Sequence, residues 1–304
     1  MRRPELADVL LLATVTLWAL NFTVTKYILS HGFHPIAYSC FRFGGATIIF
    51  AALTYALEGS LRIGRRDLIT LGIAAGIGIF LNQLAFSYAI KLTTATTVAL
   101  LFGTLPVLTG LFAYALGIER VGSRFWAAAV LACAGAALVA VGSGGGVSAQ
   151  LWGDLLGLAA SATWAWYTVS VSPLLRRYST LRLSTVAFAM GTVPLLIVGS
   201  HQLATQDYDL GATVWLLWVF AVIGPLVLAN VLWFGGIARV GPSRATVYAN
   251  LQPFLAAVFS VLILSEPLTG TQVIGGLAIA AGILLSRPPK GAPARSPAVG
   301  TVQE

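Results

Sequence analysis

The chain repeats itself. Asn82-Gln83-Leu84-Ala85-Phe86 is followed by Lys91, by Pro106 in an apolar run and by Glu119. Asn230-Val231-Leu232-Trp233-Phe234 is followed by Arg239, Pro253 and Glu266, at offsets of 147 or 148 residues. Upstream, Trp18-Ala19-Leu20-Asn21-Phe22 faces Trp164-Ala165-Trp166-Tyr167-Thr168 at about the same offset. A repeat this long is no solenoid unit. In a membrane chain it points to two related halves with a substrate path between them.

The membrane itself follows from composition. Apolar residues make up 58% of the chain, charged ones 9%, and mean hydropathy is +0.87. Ordinary soluble domains carry roughly 25% charged residues. Crossing the hydrocarbon takes about 20 apolar residues in a helix. Ten runs meet or approach that length: 7–29, 35–57, 68–90, 93–116, 124–142, 153–172, 181–200, 212–237, 243–264 and 271–286. The expected fold is an all-α polytopic membrane protein of ten transmembrane helices.

Basic residues orient such a chain. With the N-terminus inside, 15 of them gather on the cytoplasmic side, from Arg2 and Arg3 through Arg62, Arg176 and Arg239 to Lys290 and Arg295. The outer ends hold Lys26 and Lys91, and Arg42 lies within a span. Both termini are expected in the cytoplasm, at a bacterial inner membrane. The net charge of +8 is then a matter of topology and calls for no nucleic-acid partner. Five spans per half is an odd number, so the second half enters from the opposite side and the repeats are inverted. The expected units are a first repeat over 1–142, a second over 153–286 and a disordered cytoplasmic tail over 287–304. Ser143-Gly144-Gly145-Gly146 reads as a loop joining the halves.

Enzyme chemistry finds no footing. His31, His34 and His201 have no metal-ligand spacing. The ten acids sit at helix ends, in loops or in the tail, with no carboxylate pair at mid-membrane. Cys40 and Cys133 read as small core residues. Neither a metal nor a cofactor is expected.

Polar groups at membrane depth are costly unless they face a cavity or one another. Thr14, Trp18, Asn21 and Thr25 share one helical face. Asn82 and Asn230 are matched across the repeat, with Gln83 and Trp233 beside them. Trp164 and Tyr167 lie in span six, Tyr248 and Gln252 in span nine. These groups recur in corresponding spans of the two halves, so the candidate substrate-binding set is Trp18, Asn21, Asn82, Gln83, Trp164, Tyr167, Asn230, Trp233, Tyr248 and Gln252. Amides supply donors and acceptors without net charge, and rings stack on aromatic solutes or hold cations. Arg42 can bind a carboxylate, pair with a carbonyl or snorkel. Trp126, Trp152, Trp215 and Trp218 read as interfacial anchors.

Proline marks the expected moving parts. Pro106, Pro194, Pro225 and Pro253 fall inside spans, each freeing the carbonyl four residues earlier. Pro106 and Pro253 are repeat-matched and are expected to kink beside the cavity and gate it. Spans five and ten are rich in Ala and Gly and read as closely packed scaffold helices, at the periphery or in a dimer contact. Gly72 and Gly76 read as a further close-packing pair.

The Trp18-to-Phe22 run, Arg42, the Asn82…Phe86…Ala89 stretch, Pro106 and Glu119, repeated as Asn230, Pro253 and Glu266, resemble the EamA repeat of the drug/metabolite transporter superfamily. Length and aromatic richness are also similar to bacterial aromatic amino-acid exporters of the YddG type. The resemblance implies a ten-helix inverted-repeat carrier that exports small metabolites, amino acids including aromatic ones, through a central pathway. Its partners would be a small-molecule substrate and the lipid bilayer, with the protein a monomer or homodimer. A multidrug exporter or a channel-like facilitative uniporter is the alternative. The second half departs from the pattern at Tyr167, where the first has Asn21, and at Val186-Ala187-Phe188, which carries no counterpart to Arg42. The site is therefore expected to be asymmetric.

Overall fold

A computed structural model of the chain describes residues 6–118, 122–142, 149–240 and 248–286. Glu119, the glycine loop after Ser143 and the tail from Arg287 fall outside these residues. Every regular element among the described residues is helical. The order is α1 (Leu6–Ser30), α2 (Pro35–Glu58), α3 (Arg65–Leu92), α4 (Ala95–Phe102 and Leu105–Ala115), α5 (Ser123–Gly142) and α6 (Ala149–Val171). Then come α7 (Thr180–Thr205), α8 (Gly211–Val222, Ile223–Leu228 and Ala229–Val240), α9 (Gln252–Leu264) and α10 (Gly270–Ser286). Six helices are long and apolar enough to cross a membrane, and up to seven if the two parts of α4 form one bent span. The apolar helices α9 and α10 are shorter.

Local chemistry sets the ends. Pro35 opens α2 in its first turn, where a missing N–H costs nothing. Gly59 closes α2 at φ +64°, its N–H returning to the Tyr55 carbonyl. Thr94 and Ser179 cap α4 and α7 through their hydroxyls.

Packing is matched between the halves. α1 lies against the last part of α8 and against α9; α6 lies against the last part of α3 and against α4. α2 pairs with its repeat mate α7, and α5 with α10. The α5–α10 pair is built on small residues. A Cβ added at Gly135 would sit 2.6 Å from the Gly275 carbonyl, and one at Gly275 2.6 Å from the Gly135 carbonyl. The small-residue faces expected on spans five and ten are thus spent on each other. Large apolar side chains face outward around the bundle, Ile48 72% exposed and Leu262 74%. In water such a surface is a liability; in lipid it is the solvent-facing side.

Both halves contain a wide turn that the sequence reading missed. Residues 76–81 of α3 and 223–228 of α8 are π-helical. The Asn82 N–H reaches the Ile77 carbonyl and the Ala229 N–H reaches Gly224, each five residues back. The two π segments are 147 residues apart, one repeat. Such segments often accompany function. Gly76 opens the first and meets nothing within 4 Å, so it is no packing contact; Gly72 is, against Met190.

The prolines also need correction. Pro106 and Pro253 do not bend continuous helices. Each sits in the first turn of a new segment, Leu105–Ala115 and Gln252–Leu264. The chain before Pro106 tightens into three-residue turns, Gly103 N–H to Leu100 and Thr104 N–H to Leu101, and the two parts of α4 diverge by 41°. Pro194 stays inside its helix, α7, and Pro225 lies within the π segment of α8.

Candidate functional site

The candidate residues fall into two groups related by the repeat. In the first, α1 meets α8. The Trp18 Nε1–H donates to the Pro225 carbonyl at 3.0 Å, and its ring packs on Trp233 with centroids 5.2 Å apart. Asn230 turns back on its own helix and donates to the Leu226 carbonyl. In the second group, α6 meets α3. Asn82 Nδ2 donates to the Ala160 carbonyl at 2.7 Å and to Thr163 Oγ1 at 3.2 Å. Gln83 Nε2 donates to Asn82 Oδ1 at 3.0 Å. Trp164 and Tyr167 pack ring to ring at 5.3 Å. Tyr167 covers the π segment of α3, since a Cβ at Gly78 would fall 2.1 Å from Tyr167 Cβ.

Two candidates stand apart. The Tyr248 hydroxyl donates to Asp8 Oδ1 at 2.6 Å, in the first turn of α1. That contact is about 15 Å along the helix from Trp18 at 1.5 Å per residue. Gln252 opens α9, half-buried. Among the described residues, two of the candidates carry an unpartnered oxygen. Asn21 Oδ1 and Gln83 Oε1 are buried without a hydrogen-bond donor. Such atoms are rare in native interiors and call for an explanation.

Two cavities open elsewhere. One of about 350 Å³ lies among Arg66, Asp67, Thr70, Ser170 and Arg177. Another of about 240 Å³ is lined by Thr104, Cys133 and Asp154 among apolar side chains. Neither is walled by the candidate set.

Several residues outside the candidate set make contacts that the sequence reading did not assign. The Arg42 Nε–H donates to the Ala221 carbonyl at 3.2 Å. That carbonyl is the one Pro225 deprives of its helical donor. The signal was half legible: the proline announced a free carbonyl, but not which side chain would take it. Lys26 Nζ donates to the Ile90 and Thr93 carbonyls at 2.8 and 2.6 Å. Glu266 accepts from the Ala95 and Thr96 N–H groups at the start of α4. Asp154, near the start of α6, is only 4% exposed, so an acid at a helix end is here also a buried one. Trp215 and Trp218, read above as interfacial anchors, belong to an aromatic cluster. They pack with each other and with Phe41, and Trp215 also touches Phe33.

Comparison with known proteins decides what this arrangement belongs to. The sequence pattern of the EamA-like transporter family matches residues 5–141 and again 151–287. The chain belongs to the EamA-like transporter family. It is a multi-pass membrane transporter. An uncharacterized transporter of Archaeoglobus fulgidus is 28% identical, over 91% of this chain and 96% of its own. A probable terminal-alkyne amino-acid exporter of Streptantibioticus cattleyicolor is 28% identical, over 90% of this chain and 91% of its own. The uncharacterized transporter YetK of Bacillus subtilis is 26% identical, over 81% and 76%. One solved crystal structure superimposes with a TM-score of 0.66 at 20% identity, covering 95% of this chain and 100% of that one. That likeness speaks for the fold alone.

Proposed function

We propose that this transporter exports small metabolites, chiefly amino acids including aromatic ones, across the bacterial inner membrane by alternating access. The reading takes ten spans in two inverted repeats over 1–142 and 153–286, with both termini in the cytoplasm. The observation that carries it is the matched pair of π segments, 76–81 and 223–228, which sit in corresponding helices directly before Asn82 and Ala229-Asn230. Each wide turn is covered by an aromatic of the other half or the first helix: Tyr167 lies on Gly78, and Trp18 holds the Pro225 carbonyl. Two halves with equivalent weak points can exchange conformations, and a site between them then opens to one side or the other. Pro106 and Pro253, each starting a helical segment, are the proposed hinges. The substrate class draws on the relative named as an amino-acid exporter, on the resemblance to aromatic amino-acid exporters of the YddG type, and on the aromatic and amide character of the candidate set.

The test is reconstitution of the purified protein in liposomes loaded with aromatic, aliphatic or cationic solutes. Release of aromatic and aliphatic amino acids above protein-free liposomes is expected. Absence of any amino-acid flux alongside flux of cationic drugs would replace this reading with multidrug export. A second reading, proton-coupled export, rests on one observation, the burial of Asp154. A strict need for a pH gradient, abolished by Asp154→Asn, would favour it.

A further inference from the structure

Arg42 lies within α2 and, among the described arginines, is the buried one, 4% exposed. Its Nε–H is bonded to the Ala221 carbonyl. Among the described residues its Nη groups make no hydrogen bond, and the ion pairs lie elsewhere, at Arg177–Asp67 and Arg182–Glu58. A guanidinium has five donors and stays charged in proteins. Leaving most of them unused in a buried position is expensive. The rings of Tyr38 and Phe43 sit about 6.0 and 5.8 Å from its central carbon, which offsets part of that cost but bonds no N–H.

What faces Arg42 follows from contacts one turn away. Thr25 of α1 shares a hydrogen bond with Tyr38 of α2 at 3.0 Å, and Ser39 of α2 shares one with Ser87 of α3 at 2.6 Å. Short turns link these helices, so neighbours run in opposite directions. One turn further along each, on the same faces, stand Asn21 (four residues before Thr25), Arg42 (four after Tyr38) and Gln83 (four before Ser87). All three lie displaced the same way by about 5–6 Å at 1.5 Å per residue, so they stand at about one level. Asn21 and Gln83 each carry a buried oxygen without a donor, as Thr93 does just past the end of α3, and they are 8% and 5% exposed. Unused cationic donors therefore share one level with unused neutral acceptors.

We infer that Arg42, Asn21 and Gln83 form a site for the head group of an α-amino acid. The Arg42 guanidinium takes the carboxylate through its Nη donors, and the Asn21 and Gln83 oxygens accept from the ammonium. The phenyl rings of Phe22 and Phe86, 5.5 Å apart beside Asn21 and Gln83's helix, give the adjoining wall an apolar face for the side chain. This site deepens the export reading, on which it rests, by naming the group recognised. It also explains the asymmetry: the second half has Tyr167 and Ala187-Phe188 where the first has Asn21 and Arg42.

The experiment separates the head group into its parts. Phenylalanine, 3-phenylpropionate (no ammonium) and phenethylamine (no carboxylate) are tested as ligands of the purified protein by thermal stabilisation, and as solutes in liposomes. Wild type is expected to bind phenylalanine best, then phenylpropionate, then phenethylamine. Arg42→Gln should weaken both carboxylates about 10- to 100-fold, the range for losing hydrogen bonds to a charged group, and leave phenethylamine unchanged. Arg42→Lys retains the charge but not the fork, and should recover only part of the loss. Gln83→Met should weaken phenylalanine and spare phenylpropionate. Equal losses for all three ligands in the Arg42 variants would make Arg42 structural and overturn the site. So would a wild type that binds neither carboxylate. Carboxylate binding that depends on Arg42, without amino-acid flux, would uphold the site and overturn the export reading alone.

Discussion

The Glu266 carboxylate accepts the backbone N–H groups of Ala95 and Thr96, both at 2.9 Å, and the Thr96 hydroxyl at 2.8 Å. A residue that follows α9 in the second half thus caps the first turn of α4 in the first. Free N–H groups at a helix start favour an anion. Beside it, Lys26 of α1 binds the carbonyls at the end of α3, so the four helices are tied at this end of the bundle. Glu266→Ala should cost about 1–2 kcal/mol, the usual range for a lost cap. Glu266→Gln should cost less, since an oxygen acceptor remains. Thermal unfolding of both variants in detergent checks the order; a larger loss for Gln than for Ala would refute the cap.

Gly78 and Gly44 make a matched test of close packing. A Cβ at Gly78 would overlap Tyr167, whereas one at Gly44 meets nothing within 4 Å. Gly78→Ala should destabilise by about 1–3 kcal/mol as an overpacked position and should slow transport by displacing Tyr167. Gly44→Ala should be neutral or slightly stabilising, because alanine is the better helix former. Melting temperatures and initial rates in liposomes measure both.

Aromatic recognition is best probed at Trp164. Its Ala variant should reduce transport of aromatic amino acids more than of small aliphatic ones, a stacking contact being worth about 1 kcal/mol. Tyr167→Ala should do the same but also lose roughly 3 kcal/mol or more of stability, because it empties the space over Gly78. Both variants moving every solute at wild-type rates, with normal expression, would remove stacking at this wall from the mechanism.

Proton coupling has a clear signature. With no carboxylate pair at mid-membrane, flux should persist without a pH gradient and gain little from one. Asp154→Asn should then leave the rate within about two-fold of wild type, a difference of under 1 kcal/mol in barrier height. Flux that halts when the gradient is collapsed, and is lost in this variant, would make Asp154 the titrating group.

Topology can be read chemically. A single cysteine placed after residue 290, in a background lacking Cys40 and Cys133, should resist an impermeant thiol reagent in intact cells and react in inverted vesicles. Labelling from outside would end the ten-span arrangement.

Much of the architecture was legible because it is written in local pattern. The apolar runs, the duplicated Asn, Pro and Glu landmarks and the small-residue faces of α5 and α10 require only helical periodicity and the bilayer's intolerance of unpaired polar groups. The candidate site was legible in its residue types but not in its pairings. Asn82 and Asn230 look equivalent in the sequence, yet one is bonded to α6 and the other to its own helix. Tyr248 reads as a cavity ring, yet it binds Asp8 at the first turn of α1.

The sequence by itself determined that this protein is helical, doubled and at home in a membrane, and it carried enough landmarks to place the chain in its family. Those properties are sums over many residues, and no single contact can reverse them. Only the tertiary structure decided that Arg42 takes the carbonyl freed by Pro225, that Glu266 caps a helix of the opposite half, and that each half holds a π segment one repeat apart. Each of those depends on which helices lie side by side and on their rotation about their own axes. Such contacts join residues up to 179 positions apart in these examples. Their partners are chosen by packing across the bundle, and no spacing along the chain encodes that choice.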